Sequence, residues 1–262
     1  MPRRRLLTAA PGFGLAVAGG GLLAGCASLS SALAPEVMPQ VPPFSAVSEG
    51  GMLPAGWRPY IVRPNLAKTV YTMVRRDGRN VLHAVADNAR SGLFCTVDID
   101  PKSTPWLRWQ WRVDAVDTNA TIEDDDAEDA SARIVVAFDG DSSTLPLRDR
   151  IFFEQVELFT GNVLPYATLT YVWDGQLPVG RVLRYGRSGR IRYEVVESGT
   201  RRIGQWLGYE RNVLDDYQRV FGETAPGRII GIGVMTDSDD LKNHAEAWYA
   251  DIGLHAQSLG AV

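Results

Sequence analysis

Apolar and polar residues alternate with a period of two along most of this chain. The clearest run spans residues 106–113, where Leu107, Trp109, Trp111 and Val113 share one face and Arg108, Gln110 and Arg112 share the other. Such alternation marks a strand with one face in a core and one in water. Residues 69–76, 81–86 and 93–99 are further β-rich runs, and Arg76-Asp77-Gly78-Arg79-Asn80 between the first two reads as a hairpin turn. Strands are also expected over 133–138, 166–173, 190–196, 228–235 and 247–254. Two segments break the alternation and read as helices, 148–159 and 212–221, the second stopped by Gly222. Many short antiparallel strands with few helices predict an all-β fold, a β-sandwich of jelly-roll, galactose-binding-like type.

The start of the chain has a different pattern. Arg3-Arg4-Arg5 precedes an uncharged stretch closing on Leu23-Ala24-Gly25-Cys26, the layout of a secretory signal peptide. A cysteine directly after Leu-Ala-Gly also resembles a bacterial lipobox, in which the thiol takes a diacylglycerol and the chain is cut before it. Pro11, Gly12, Gly14 and Gly19-Gly20-Gly21 weaken the alternative of a permanent membrane helix. Pro2-Arg3-Arg4-Arg5-Leu6-Leu7 resembles a twin-arginine signal, and an ordinary basic start explains it equally well. The expected organisation is a signal peptide over 1–25, a lipidated, proline-bearing tether over 26–43 and one domain over 44–262. The expected location is the cell envelope, on the periplasmic face of the outer membrane.

Charge and cysteine content narrow the partners. Without Arg3, Arg4 and Arg5 the chain keeps 24 basic residues against 31 acidic ones, a formal charge of −7. That balance, with no basic cluster, disfavours nucleic acid, and it leaves membrane attachment to the acyl chains. With Cys26 lipidated, Cys95 has no cysteine to pair with; between Phe94 and Val97 it reads as a small apolar strand residue.

A set of motifs then carries a resemblance. Trp109-Gln110-Trp111-Arg112-Val113 is followed by Glu128-Asp129-Ala130-Ser131-Ala132-Arg133, then by Leu164-Pro165-Tyr166-Ala167 and Tyr171-Val172-Trp173. Arg211-Asn212-Val213, Asp216-Tyr217 and Phe221-Gly222 come next, and then Gly231-Ile232-Gly233-Val234-Met235-Thr236-Asp237-Ser238-Asp239 and Tyr249-Ala250-Asp251-Ile252. In order and spacing, from Phe44 to Leu254, these resemble the bacterial family called domain of unknown function 3047. The chain departs from its pattern with Glu128 where Asp is usual and with Asp240 where Asn often follows. The resemblance implies a secreted or lipid-anchored β-sandwich and no established activity. Phe44, Gly56-Trp57 and Trp248-Tyr249-Ala250-Asp251 are also similar to galactose-binding-like jelly rolls, in which a last-strand Asp often holds structural calcium.

The candidate chemistry follows from side-chain type. Six carboxylates crowd residues 123–129, a composition suiting either a solvated loop or calcium. Asp129, beside the strand carrying Arg133, is a candidate for pairing with it. Asp237 and Asp239 follow an apolar strand, where a loop presents carboxylates to a ligand or caps backbone amides. With Asp251 they form the expected calcium set. Trp109 and Trp111 read as core, whereas Trp106 and Trp206, near element ends, are candidates for an exposed platform stacking against a sugar.

Catalytic patterns are weak: His83, His244 and His255 stand near no nucleophile elbow, and there is no zinc or phosphate-loop motif. The expectation is a lipid-anchored module binding an envelope glycan. The alternatives are a glycan hydrolase or lyase using a carboxylate pair, such as Glu154 with Glu157 or Glu194 with Glu197, and an assembly factor binding another envelope protein.

Overall fold

The computed structural model describes residues 40–224 and 227–260. The expected signal peptide, Cys26 and most of the 26–43 tether lie outside the described residues. Thirteen strands form two sheets. In chain order they are β1 (Trp57–Tyr60), β2 (Val70–Arg76), β3 (Arg79–Asp87), β4 (Arg90–Ile99), β5 (Trp106–Val113), β6 (Ala132–Phe138) and β7 (Ala167–Asp174). There follow β8 (Val182–Arg184), β9 (Ile191–Ser198), β10 (Leu207–Asn212), β11 (Ile229–Asp237), β12 (His244–Tyr249) and β13 (Gly253–His255). One sheet has seven strands in the order β1-β4-β11-β6-β7-β9-β8; the other runs β10-β5-β12-β3-β2, with β13 pairing β5. All named pairs are antiparallel except β7 with β9. The all-β sandwich expected from the alternation is the observed fold.

The sheets bury their facing sides against each other. Leu107, Trp109, Trp111 and Val113 of β5 meet Ile134, Val136 and Phe138 of β6, Tyr171 and Trp173 of β7, and Ile232 and Val234 of β11 in one cluster. Trp109 stacks on Tyr171 and on Tyr209, each at 5.1 Å. The assignment of Trp109 and Trp111 to the core holds, with exposures of 1% and 0%.

Strands β6, β7 and β11 depart from alternation because they are buried on both faces. Part of the outer face of their sheet is covered by the loop before β6, where Ile122 and Ala130 pack on Val172, Tyr193 and Val195. The rest lies beneath helix α1 (Leu147–Thr160). Strands covered on both sides lose the polar half of the pattern and read as continuous apolar runs. Helix α2 (Val213–Phe221) matches expectation: the Asn212 side chain caps Leu214 and Asp215 N–H groups, and Gly222 closes it in the left-handed conformation.

Helix α1 is fastened at both ends. Buried Asp149 accepts the Ser188 hydroxyl at 2.7 Å and the Gly189 N–H at 2.8 Å. Beyond the helix, Asn162 donates to the Ile61 carbonyl at 2.7 Å. No helix among the described residues is long and apolar enough to cross a membrane. Val41 is already buried and Trp57 Nε1 donates to the Pro42 carbonyl, so the chain docks onto the domain inside the stretch expected as tether.

Candidate functional site

Between α1 and the outer face of the seven-stranded sheet lies a cavity of about 930 Å³. Its floor follows from strand parity. In β4, Arg90, Gly92 and Phe94 point outward; opposite them in register stand Asp237, Met235 and Gly233 of β11. Glycine at 231 and 233 makes room for an aromatic ring, since a Cβ on Gly231 would lie 1.8 Å from Phe94 Cζ. Tyr60, Phe94, Phe152, Phe159, Tyr185 and Tyr193 supply aromatic walls, and Thr168, Thr170, Asn65 and Gln155 supply hydrogen-bonding groups. Five arginines reach the lining, Arg63, Arg90, Arg133, Arg148 and Arg187. Among the described residues, no aspartate, glutamate, histidine, serine, cysteine or lysine lines it.

Two of those arginines are built into the base. Arg133 is 1% exposed. Its Nε and Nη2 donate to Asp237 at 3.1 and 2.9 Å, Nη1 to Glu128 Oε1 at 3.2 Å and Nη2 to the Glu128 carbonyl at 2.6 Å. Arg90 lies beside it, 3.4 Å from Glu128, 3.6 Å from Asp237 and 3.3 Å from Asp240, with its Nε buried and without a hydrogen-bond acceptor. Tyr193 donates its hydroxyl to Glu128 at 2.7 Å.

The electrostatics follow from burial and contact. Burial opposes ionisation of Glu128, but Arg133, Arg90 and Tyr193 outweigh it and hold the carboxyl below its usual range. Burial pushes Asp237 up to about 6, against the pull of Arg133 and Arg90. Arg63, Arg148 and Arg187, by contrast, stand exposed at the mouth, and none forms an ion pair among the described residues.

The sequence-predicted residues fall in several places. Asp237 is fully buried, not an exposed loop ligand, because β11 extends to it and pairs it with Arg90. Asp239 is also buried. Asp129 does not pair with Arg133 as expected; it accepts the Asp240 and Leu241 N–H groups, and Glu128 is the partner from that segment. Asp251 lies beyond the other end of β12, where it accepts the Ser45 N–H and hydroxyl. The six residues of β12 separate it from Asp237 and Asp239 by roughly 20 Å, so the expected calcium set does not converge.

Nor do the expected platform residues. Trp106 and Trp206 sit half-buried at opposite ends of β5, on the sheet that does not line the cavity. The Trp206 face is covered by Arg79 at 3.9 Å and its Nε1 donates to Asp77. Residues 123–126 form the exposed acidic loop, whereas Glu128 and Asp129 turn inward. The proposed carboxylate pairs are occupied or apart from the cavity. Glu194 is bound by Arg211 and Arg219, Glu197 by Arg202 and Tyr209, and Glu154 and Glu157 face solvent.

The cavity itself was missed from sequence. Its available signal was the helix over 148–159, carrying Ile151, Phe152, Phe153 and Val156, beside strands with little polar face, which together call for a second buried layer.

No curated protein matches the chain. Among solved structures, the arabinose-bound MgGH51 α-L-arabinofuranosidase aligns at TM-score 0.39 and 9% identity over 83% of this chain, which spans only 26% of that one. The family 11 carbohydrate-binding module from Clostridium thermocellum, in complex with a β-1,3-1,4-mixed-linked tetrasaccharide, aligns at 0.37 and 10% identity over 77% of this chain and 89% of that one. Endoglucanase 3 of family GH12 from Trichoderma harzianum aligns at 0.39 and 7% identity over 80% and 93%. The strand pairing above, not these alignments, defines the fold. Residues 55–253 match the family described as protein of unknown function (DUF3047), and the chain belongs to that family.

Proposed function

We propose that this protein is a lipid-anchored, extracytoplasmic binding module whose cavity beneath α1 holds an anionic glycan of the cell envelope. The cavity lining carries the reading: five arginines and six aromatic rings, with no carboxylate among the described residues. A volume of about 930 Å³ lies within the range of ligand-binding clefts. Guanidinium groups take carboxylate or phosphate in two-pronged geometry, and Arg63, Arg148 and Arg187 are placed to do so. Aromatic faces suit the C–H surface of sugar rings, and Thr168, Thr170 and Asn65 suit their hydroxyls. The lining supplies no acid–base pair for hydrolysis, which favours binding over the carboxylate-pair alternative. The anchor rests on the Leu23-Ala24-Gly25-Cys26 sequence.

A second reading, docking of a protein partner, is favoured by one observation. Leu147, Ile151, Leu158 and Phe159 of α1 and the nearby Val163 are exposed large apolar residues.

Calorimetry with matched acidic and neutral oligosaccharides separates these readings. Acidic sugars are expected to bind, and R63E with R187E to abolish binding at an unchanged melting temperature. Equal affinity for neutral sugars, or binding indifferent to both reversals, refutes the anionic reading. A parent chain that binds no sugar shifts the assignment to the protein partner.

A further inference from the structure

Behind Arg90, away from the cavity, acids outnumber the cations that serve them. Among the described residues, the only cations that Glu128, Asp129, Asp237, Asp239 and Asp240 face are Arg90 and Arg133. Arg133 is committed to Glu128 and Asp237, and Arg90 is shared among four acids. Asp129, Asp239 and Asp240 are left with no cation of their own, and each places one carboxylate oxygen within 4.8 Å of the others.

The turn after β11 fixes this arrangement. Asp129 accepts the N–H groups of Asp240 at 3.1 Å and Leu241 at 2.8 Å, which holds the two chain segments together. Asp239, only 8% exposed, has a buried Oδ1 with no hydrogen-bond partner. Its nearest cation is Arg90 Nη1 at 3.7 Å, beyond hydrogen-bond reach, and that nitrogen is shared with Asp240 Oδ2 at 3.3 Å. A buried carboxylate oxygen without a donor is costly unless something supplies positive charge.

We infer that Asp129, Asp239 and Asp240 form a binding site for a hard divalent cation, calcium. The donors are oxygen alone, with no histidine or cysteine in the group, which suits calcium and not zinc. Calcium takes six to eight oxygens, so water completes the shell around three carboxylates. The cation gives Asp239 Oδ1 the direct contact that the shared Arg90, at 3.7 Å, does not make, and offsets the excess of acids over arginines. This set shares only Asp239 with the one expected from sequence, and the inference is independent of what the cavity binds.

The test uses the full chain, purified in detergent and stripped with EDTA. One equivalent of calcium should bind, and the melting temperature should rise with calcium concentration, as for any ligand held only by the folded state. D239N and D240N should each weaken binding at least tenfold; D240N, at a half-buried position, serves if D239N does not fold. A triple variant of the exposed loop, D124N with D125N and D126N, should bind as the parent does. The inference is overturned if the folded, stripped chain takes up no calcium. It is also overturned if D239N and D240N bind as the parent does, or if the loop variant loses the ion.

Discussion

Arg133 grips Asp237 with two nitrogens, Nε at 3.1 Å and Nη2 at 2.9 Å, where neither side chain reaches water. Removing one partner leaves the other charged and buried, which costs about 3–5 kcal/mol. Asp237→Ala and Arg133→Met should each destabilise by that amount in urea denaturation. The double variant R133M/D237L should lose markedly less than the sum of the single losses. A D237A chain as stable as the parent overturns the buried-pair assignment.

The floor of the cavity depends on glycine. A methyl group at position 231 would meet the Phe94 ring at 1.8 Å, and overpacking of this kind costs about 1–3 kcal/mol. Gly231→Ala should lower the melting temperature. Adding Phe94→Leu should restore most of the loss, because the obstruction is that ring. Failure of the second change to rescue the first would place the strain elsewhere.

The segment after β13 rests on one half-buried acid, Glu210. Ser258 donates its hydroxyl and Leu259 its N–H to Glu210, which also pairs with Arg108. The Ser258 hydroxyl, with Leu259 and Arg108, lowers the Glu210 carboxyl from 4.5 to about 2. A lowered folded-state value means the stabilisation is present above the ordinary glutamate range and is lost as pH falls through the folded one. The Leu259 amide resonance should shift with a midpoint near pH 2, and Glu210→Gln should abolish that titration. A midpoint in the ordinary glutamate range would contradict the contact.

How far the molecule could be read from its sequence depended on whether one face or two was covered. Strand β5 was legible because Leu107 to Val113 meets core on one side and water on the other. Strands β6 and β11 were recognisable as strands, but their outer layer was not. Nothing local says that Arg133, 104 residues before Asp237, lies beside it under a loop. An Asp-x-Asp after an apolar run looks like an exposed turn; only pairing of Asp237 with Arg90 draws it into the sheet. The tryptophans divided by parity: Trp109 and Trp111 alternate with charges and are core, whereas Trp206 is covered by Arg79, a contact between distant segments. The cavity depends on where α1 is fastened, through Asp149 and Asn162, and those contacts too lie far apart in the chain.

The way the chain enters the domain has a mechanical consequence. Phe44 is fully buried with its ring 4.8 Å from Trp57, Trp57 holds the Pro42 carbonyl, and Ser45 is clamped to Asp251. A pull on the chain ahead of Val41 is borne first by a wedged ring and a polar clasp, and only afterwards by a strand ladder. Yield under load is therefore expected to begin with extraction of Phe44 and release of Ser45 from Asp251.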